Sequence, residues 1–229
     1  MQVRLATSNT SEDYVNGKLW QRATLNRCPW HPKGGCGFAR HGTYTRVRPA
    51  NTRIARWYCP TARATVSALP DCFSSHRSGT LDECEALVRA VEQAPSLAAA
   101  CRDLRTDIEL PGALRFLGRL VVQVQGALRA IKGLMPTTFT GTATLLSFAA
   151  DLAGTDSQHV LMSLRHHARH HLAELPTPIG FNPHLNGVHK APYPNQHRAG
   201  RDPPSSVVEA CVAARTCVRC GSHNTTRKP

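Results

Sequence analysis

From Val15 through Leu69 the chain has no aspartate or glutamate. The same window carries Lys18, Arg22, Arg27, Lys33, Arg40, Arg46, Arg48, Arg53, Arg56 and Arg63. A module without acids cannot neutralise itself through internal ion pairs. It faces counterions, or a polyanion whose own counterions are released on binding. The whole chain leans the same way, with 28 Lys and Arg against 15 Asp and Glu and a net charge of +13. That balance points to nucleic acid, and less often to an anionic membrane surface. Aromatic residues make up only 6% of the 229 positions, which excludes an aromatic-rich barrel. The 41% hydrophobic content suffices for one or two domains with modest cores. No stretch approaches the ~20 apolar residues of a membrane span. "MQVRLATSNTSEDY" (Met1 to Tyr14) lacks the apolar stretch of a secretory signal. The expectation is a cytoplasmic, nucleoid-associated protein with no membrane partner. In a reducing compartment nine cysteines read as metal ligands or core residues before disulfides.

What is present falls into five zones. Residues 1–24 read as a flexible polar leader. Residues 25–75 are rich in turn and strand formers. "TYTRVR" (Thr43 to Arg48) alternates, "NTRIARWYC" (Asn51 to Cys59) follows it, and "RPAN" (Arg48 to Asn51) can turn between them. "TVSALP" (Thr65 to Pro70) can add a third strand. Over residues 79–135 the period becomes helical. Thr80 with Glu83 forms a capping box ahead of Leu81, Cys84, Leu87, Val88 and Val91. Pro95 ends that helix, and Ser96 can cap a second over Leu97–Leu104. Pro111 suits the first turn of a third, running to about Leu134, with Arg115, Arg119 and Gln123 on a polar face. A helical pair is expected in 144–175, at Leu145–Leu152 and Ser157–Leu175. From Pro176 to Pro229 the prolines and the shortage of apolar residues predict a largely disordered tail. The predicted class is therefore α+β: a small N-terminal β-ribbon, an α-helical region and that tail.

The chemistry concentrates in "CPWHPKGGCGFARHGTY" (Cys28 to Tyr44) and in Cys59. A zinc ribbon takes four thiolate or imidazole ligands from two tight turns. Cys28-Pro29 opens the first turn, Cys36-Gly37 closes it, and Cys59-Pro60 opens the second. The partner expected three residues on is Ala62. His31, at Cys-x-x-His spacing, is the first choice for the fourth ligand and His41 the second. The predicted cofactor is one Zn2+ held by Cys28, His31, Cys36 and Cys59. Cys72, Cys84 and Cys101 read as small apolar core residues.

"CGFARHGTYTR", "RIARWYCP" and "TVSALPDC" together resemble the N-terminal zinc-ribbon module of bacterial insertion-sequence transposases and of related orphan mobile-element proteins. That pattern has a Cys-Pro-x-Cys-Gly knuckle, a His-Gly-x-Tyr strand and an aromatic-x-Cys strand. A Thr-x-Ser-x-Leu-Pro segment and a helix-turn-helix follow. The likeness covers about residues 25–135. It departs at the insertion between Cys28 and Cys36 and at Ala62. The resemblance implies that ribbon and helix-turn-helix bind the double-stranded DNA ends of an element, while a separate acidic nuclease core performs strand transfer. Arg40, Arg46, Arg48, Arg53 and Arg56 would then grip phosphates, and Arg115, Arg119 and Gln123 would face bases or phosphates. A homodimer or a transposase would be the protein partner.

Acids are scarce again after residue 110, where only Asp151, Asp156, Glu174, Asp202 and Glu209 occur. Metal-dependent strand transfer needs converging carboxylates on a firm scaffold. The expectation is a DNA-binding accessory protein or truncated transposase, not an enzyme. Two alternatives stand beside it: a complete small transposase or nuclease using Asp151 or Asp156, and a decayed reading frame. Two further clusters stand out. "LRHHARHH" (Leu164 to His171) spaces histidines for metal, but lacks the protease glutamate and reads as a solvated basic face carrying Arg165 and Arg169. Cys217-x-x-Cys220, with Cys211 and His223, offers a terminal knuckle or simply a cysteine-containing tail. Trp30, Trp57 and Tyr58 are candidates for stacking on unpaired bases, although Trp57 suits the core better.

Overall fold

Alternating strands build the first half of the chain and a 3.6-residue apolar period builds the second. The computed structural model describes residues 1–104, 110–152 and 158–182. It is a mixed α+β fold of one four-stranded sheet and six α-helices among those residues. The strands are β1 (Gln2–Leu5), β2 (Ala39–Thr45), β3 (Arg53–Cys59) and β4 (Ala64–Pro70), in the order β1-β4-β3-β2. β2, β3 and β4 form an antiparallel meander. β1 runs parallel to β4, with Gln2 opposite Ser67 and Leu5 opposite Pro70. A register shift between Arg40 and Gly42 bulges β2, the edge strand.

The helices are α1 (Ser11–Asn16), α2 (Leu81–Gln93), α3 (Leu97–Leu104), α4 (Leu110–Leu134), α5 (Leu145–Asp151) and α6 (Val160–His167). Thr80 Oγ1 accepts from the Glu83 amide and the Glu83 carboxylate accepts from the Thr80 amide, so α2 starts where its two free donors are satisfied. Ser96 Oγ accepts from the Ala99 amide at the start of α3. On α4, Leu117, Leu120, Val124, Leu128 and Ile131 recur on one side and are buried. Two acids of α2 cap its neighbours. Glu92 receives the Leu145 and Leu146 amides of α5, and Glu85 receives the Leu161 amide of α6. Carboxylates at helix N-termini suit both the free N–H groups and the dipole. The loop between α3 and α4, where a helix-turn-helix turn would sit, lies outside the described residues.

Two apolar cores result. One joins α2 to α6; the other lies on the sheet around Tyr14, Trp20, Ile54, Trp57, Leu69 and Phe73. Met162 and Phe181 pack against both.

Three expectations need correction. The leader is structured, because residues 2–21 supply β1, α1 and a 3₁₀ turn at Leu19–Gln21. Tyr14 is fully buried; its hydroxyl donates to the Arg53 carbonyl, and its ring meets Phe73 edge-on at 5.3 Å. The sheet therefore has four strands, and the β module includes the chain's first residues. The tail does not begin at Pro176: Pro176 to Gly180 are buried, and a bridge pairs Pro176 with Asn182. Arg165 explains why. It is fully buried rather than solvated, and its guanidinium donates to the carbonyls of Pro70, Asp71, Phe73, Pro178 and Ile179 at 2.6–3.4 Å. One side chain thus ties α6, the end of β4 and residues 178–179 together. The other members of that cluster, His166, His167, Arg169, His170 and His171, are exposed. The remaining tail, with Cys211, Cys217, Cys220 and His223, lies outside the described residues, as does Asp156.

Candidate metal centre and basic surface

The local sequence shapes three sulfur-facing turns. Gly37 has φ of +65°, a conformation that favours glycine, and a Cβ there would come within 3.3 Å of the Pro60 ring. Cys-Gly in one knuckle therefore packs against Cys-Pro in the other. Each sulfur receives backbone donors: Cys28 from Trp30 and His31, Cys36 from Phe38, and Cys59 from Ala62 at 3.4 Å. Such amides stabilise thiolate over thiol.

The ligand atoms of Cys28, His31, Cys36 and Cys59 lie within 4.8 Å of one another. His31 Nδ1 is 3.6 Å from Cys28 Sγ and 3.4 Å from Cys59 Sγ. A tetrahedral zinc with the usual bond lengths places sulfur and nitrogen ligands about 3.6 Å apart. The cluster could therefore hold one metal ion. Among the described residues no other group of three or more Cys, His, Asp or Glu could do so. All three cysteines are buried and His31 is half-buried, with Phe38 and Ala62 packed against the sulfurs. Burial works to raise the Cys28 thiol, but the His31 ring and the local amides outweigh it and lower the pKa to about 7. Burial raises Cys36, and its sulfur neighbours add to the rise. Four protein ligands leave no open position, which is the arrangement of a structural rather than a catalytic ion. The ion would cross-link the 28–36 loop to the end of β3. His41 is exposed and packs its ring near Tyr58, away from this donor set.

The basic residues divide into two classes. Arg40 spends its guanidinium on the carbonyls of Trp20, Gln21 and Ala23 and sits 5.7 Å from the Trp57 ring centre. Arg46 is buried, donates to the carbonyls of Arg48, Ser74, Arg77 and Gly79, and covers the Phe73 ring. Arg56 is half-buried, donates to Thr65 Oγ1 at 2.8 Å and lies over Tyr44. Arg46 is buried and committed to carbonyls, contrary to the expectation that it grips phosphate, while Arg40 is exposed but holds three carbonyls with its guanidinium. Arg48 and Arg53 are exposed, as are Lys18, Arg22, Arg27, Lys33, Arg40 and Arg63.

On α4, Arg115 and Arg119 are exposed and line one cleft with Arg77 and Phe116. Gln123 accepts a hydrogen bond from Arg77, whose guanidinium also lies 5.5 Å from the Phe116 ring centre. Arg48 lines an adjoining cleft with Arg77. Arg77 was missed in the sequence because it follows Asp71, outside the acid-free window, in a loop without periodicity. Asp71 itself is buried and takes a bidentate pair from Arg4 at 2.7 Å. Cys72, Cys84 and Cys101 are buried as expected. Asp151, named for the enzymatic alternative, is exposed at the end of α5. No helix among the described residues is long and apolar enough to cross a membrane. No family model, curated protein or solved structure matches this chain.

Proposed function

We propose that the protein binds double-stranded DNA through the basic, acid-free 15–69 stretch of its β module, braced by one zinc ion, with α4 presented alongside it. One observation carries this reading. Between Val15 and Leu69 eight basic side chains are exposed (Lys18, Arg22, Arg27, Lys33, Arg40, Arg48, Arg53 and Arg63), and that stretch contains no acidic residue. Their repulsion is relieved by phosphate. Zinc is the ion best suited to three thiolates and one imidazole in tetrahedral array. Its role is to hold the Arg27–Lys33 loop against β3, which fixes where those charges point. Arg77, Arg115 and Arg119 extend the basic surface onto the helical half. The mobile-element role, as an accessory protein or the DNA-binding portion of a transposase, rests on the sequence resemblance over residues 25–135.

The test is duplex affinity measured against salt. Arg53→Gln and Arg115→Gln should each weaken binding and reduce the magnitude of the log–log salt slope by about one. Variants that bind with wild-type affinity and slope would remove those side chains from the interface.

A further inference from the structure

The chain has three tryptophans, and only one meets solvent. Trp20 and Trp57 are 8% and 5% exposed, whereas Trp30 is 37% exposed. Trp30 sits between two ligands of the metal cluster, Cys28 and His31, and its own amide donates to the Cys28 sulfur. Its backbone is thus tied to the cluster while the indole remains accessible. Pro29 precedes it and Pro32 follows one residue on, both exposed, which limits the backbone freedom of the loop. Arg27 and Lys33, both exposed, lie three residues to either side. They also line an open cleft of about 590 Å³, whose wall includes Cys28, His31 and Cys36 but not Trp30. No acidic residue occurs between Val15 and Leu69.

An exposed π surface on a proline-flanked loop, with a cation three residues to each side in the chain, is suited to take a base by its face and the adjoining phosphates by charge. A base stacked within duplex DNA offers no such face. We infer that the 27–33 loop is a stacking site for unpaired nucleotides, with Trp30 as the platform and Arg27 and Lys33 as phosphate contacts. This rests on the nucleic-acid reading above but adds a distinct ligand: single-stranded or locally opened DNA.

The experiment uses the full metal-loaded chain, an oligo-dT single strand and a duplex of equal length, at one fixed salt concentration. Tryptophan emission is followed in wild type, Trp30→Ala and Trp30→Phe, with zinc content measured for each. The expected result is quenching of wild-type emission by oligo-dT that Trp30→Ala abolishes. Affinity for oligo-dT should fall about tenfold in Trp30→Ala, with partial retention in Trp30→Phe and duplex affinity changed by less than about twofold. Wild-type emission untouched by saturating oligo-dT would overturn the proposal without any variant, whatever the variants do to folding. Oligo-dT binding unchanged in zinc-loaded Trp30→Ala would overturn it too. In either case duplex binding could persist, so failure of the stacking site is separable from failure of the DNA reading. Absence of both activities would remove both.

Discussion

His31, not residue 62, is the histidine or cysteine that completes the four-donor cluster with Cys28, Cys36 and Cys59. Ala62 still behaves as a knuckle residue: its amide faces Cys59 Sγ and its side chain packs on the sulfur cluster. The fourth possible donor comes from the loop between Cys28 and Cys36. Metal content should therefore fall from one ion per chain to near none in His31→Ala and in Cys59→Ser. Ala62→Cys should restore it in the His31→Ala background, since a thiol there extends from a side chain already packed on the cluster. Elemental analysis of the purified variants checks all three. Cys72 and Cys84 bear on pH instead. Burial pushes their thiols up to about 12 and about 11, from an ordinary value of 9.0. In the unfolded chain both ionise near 9.0, while in the folded chain they stay neutral. Their contribution to stability is thus complete below pH 9 and declines as pH rises toward 11. Urea midpoints should fall over that window, and fall less in Cys84→Ala relative to its own value at pH 8.

At the scale of elements, side chains that link segments matter more than any one strand or helix. Arg165 answers five carbonyls from two separate stretches. Arg165→Met should cost about 3–5 kcal/mol, because it leaves buried acceptors unpaired, and urea unfolding would show it. Glu92→Ala should cost about 1 kcal/mol through the lost cap on α5. The helices were legible in the sequence because their signals are local: Thr80 with Glu83, Ser96, and the apolar period from Leu117 to Ile131. So were β3 and β4, whose strand-forming residues lie between turn formers. The metal ligands were legible because Cys-x-x-His, Cys-Gly and Cys-Pro mark turns whatever the rest of the fold does. Elements made only by distant partners were not. β1 has four residues and acquires meaning only from β4, 64 residues or more away; α1 and its buried Tyr14 acquire theirs from Phe73. Arg165 and Arg46 look like surface charges in sequence, because nothing local signals carbonyls arriving from elsewhere in the chain.

At the scale of the whole molecule, arginines bound to backbone carbonyls and arginines free of such contacts among the described residues do different work. Arg40, Arg46 and Arg165 are tied to backbone carbonyls and hold segments together, while Arg48, Arg53, Arg63, Arg115 and Arg119 face solvent. Replacing the first group should lower stability, and replacing the second should lower DNA affinity with stability kept. Arg46→Gln and Arg53→Gln, compared by thermal unfolding and duplex titration, separate the two roles. The most direct measurement is the affinity of the zinc-loaded chain for duplex DNA at about 50 and 200 mM salt. With at least three phosphates contacted, affinity should drop by about tenfold or more between the two concentrations. Affinity that does not change with salt, or no binding at the lower concentration, would contradict the account.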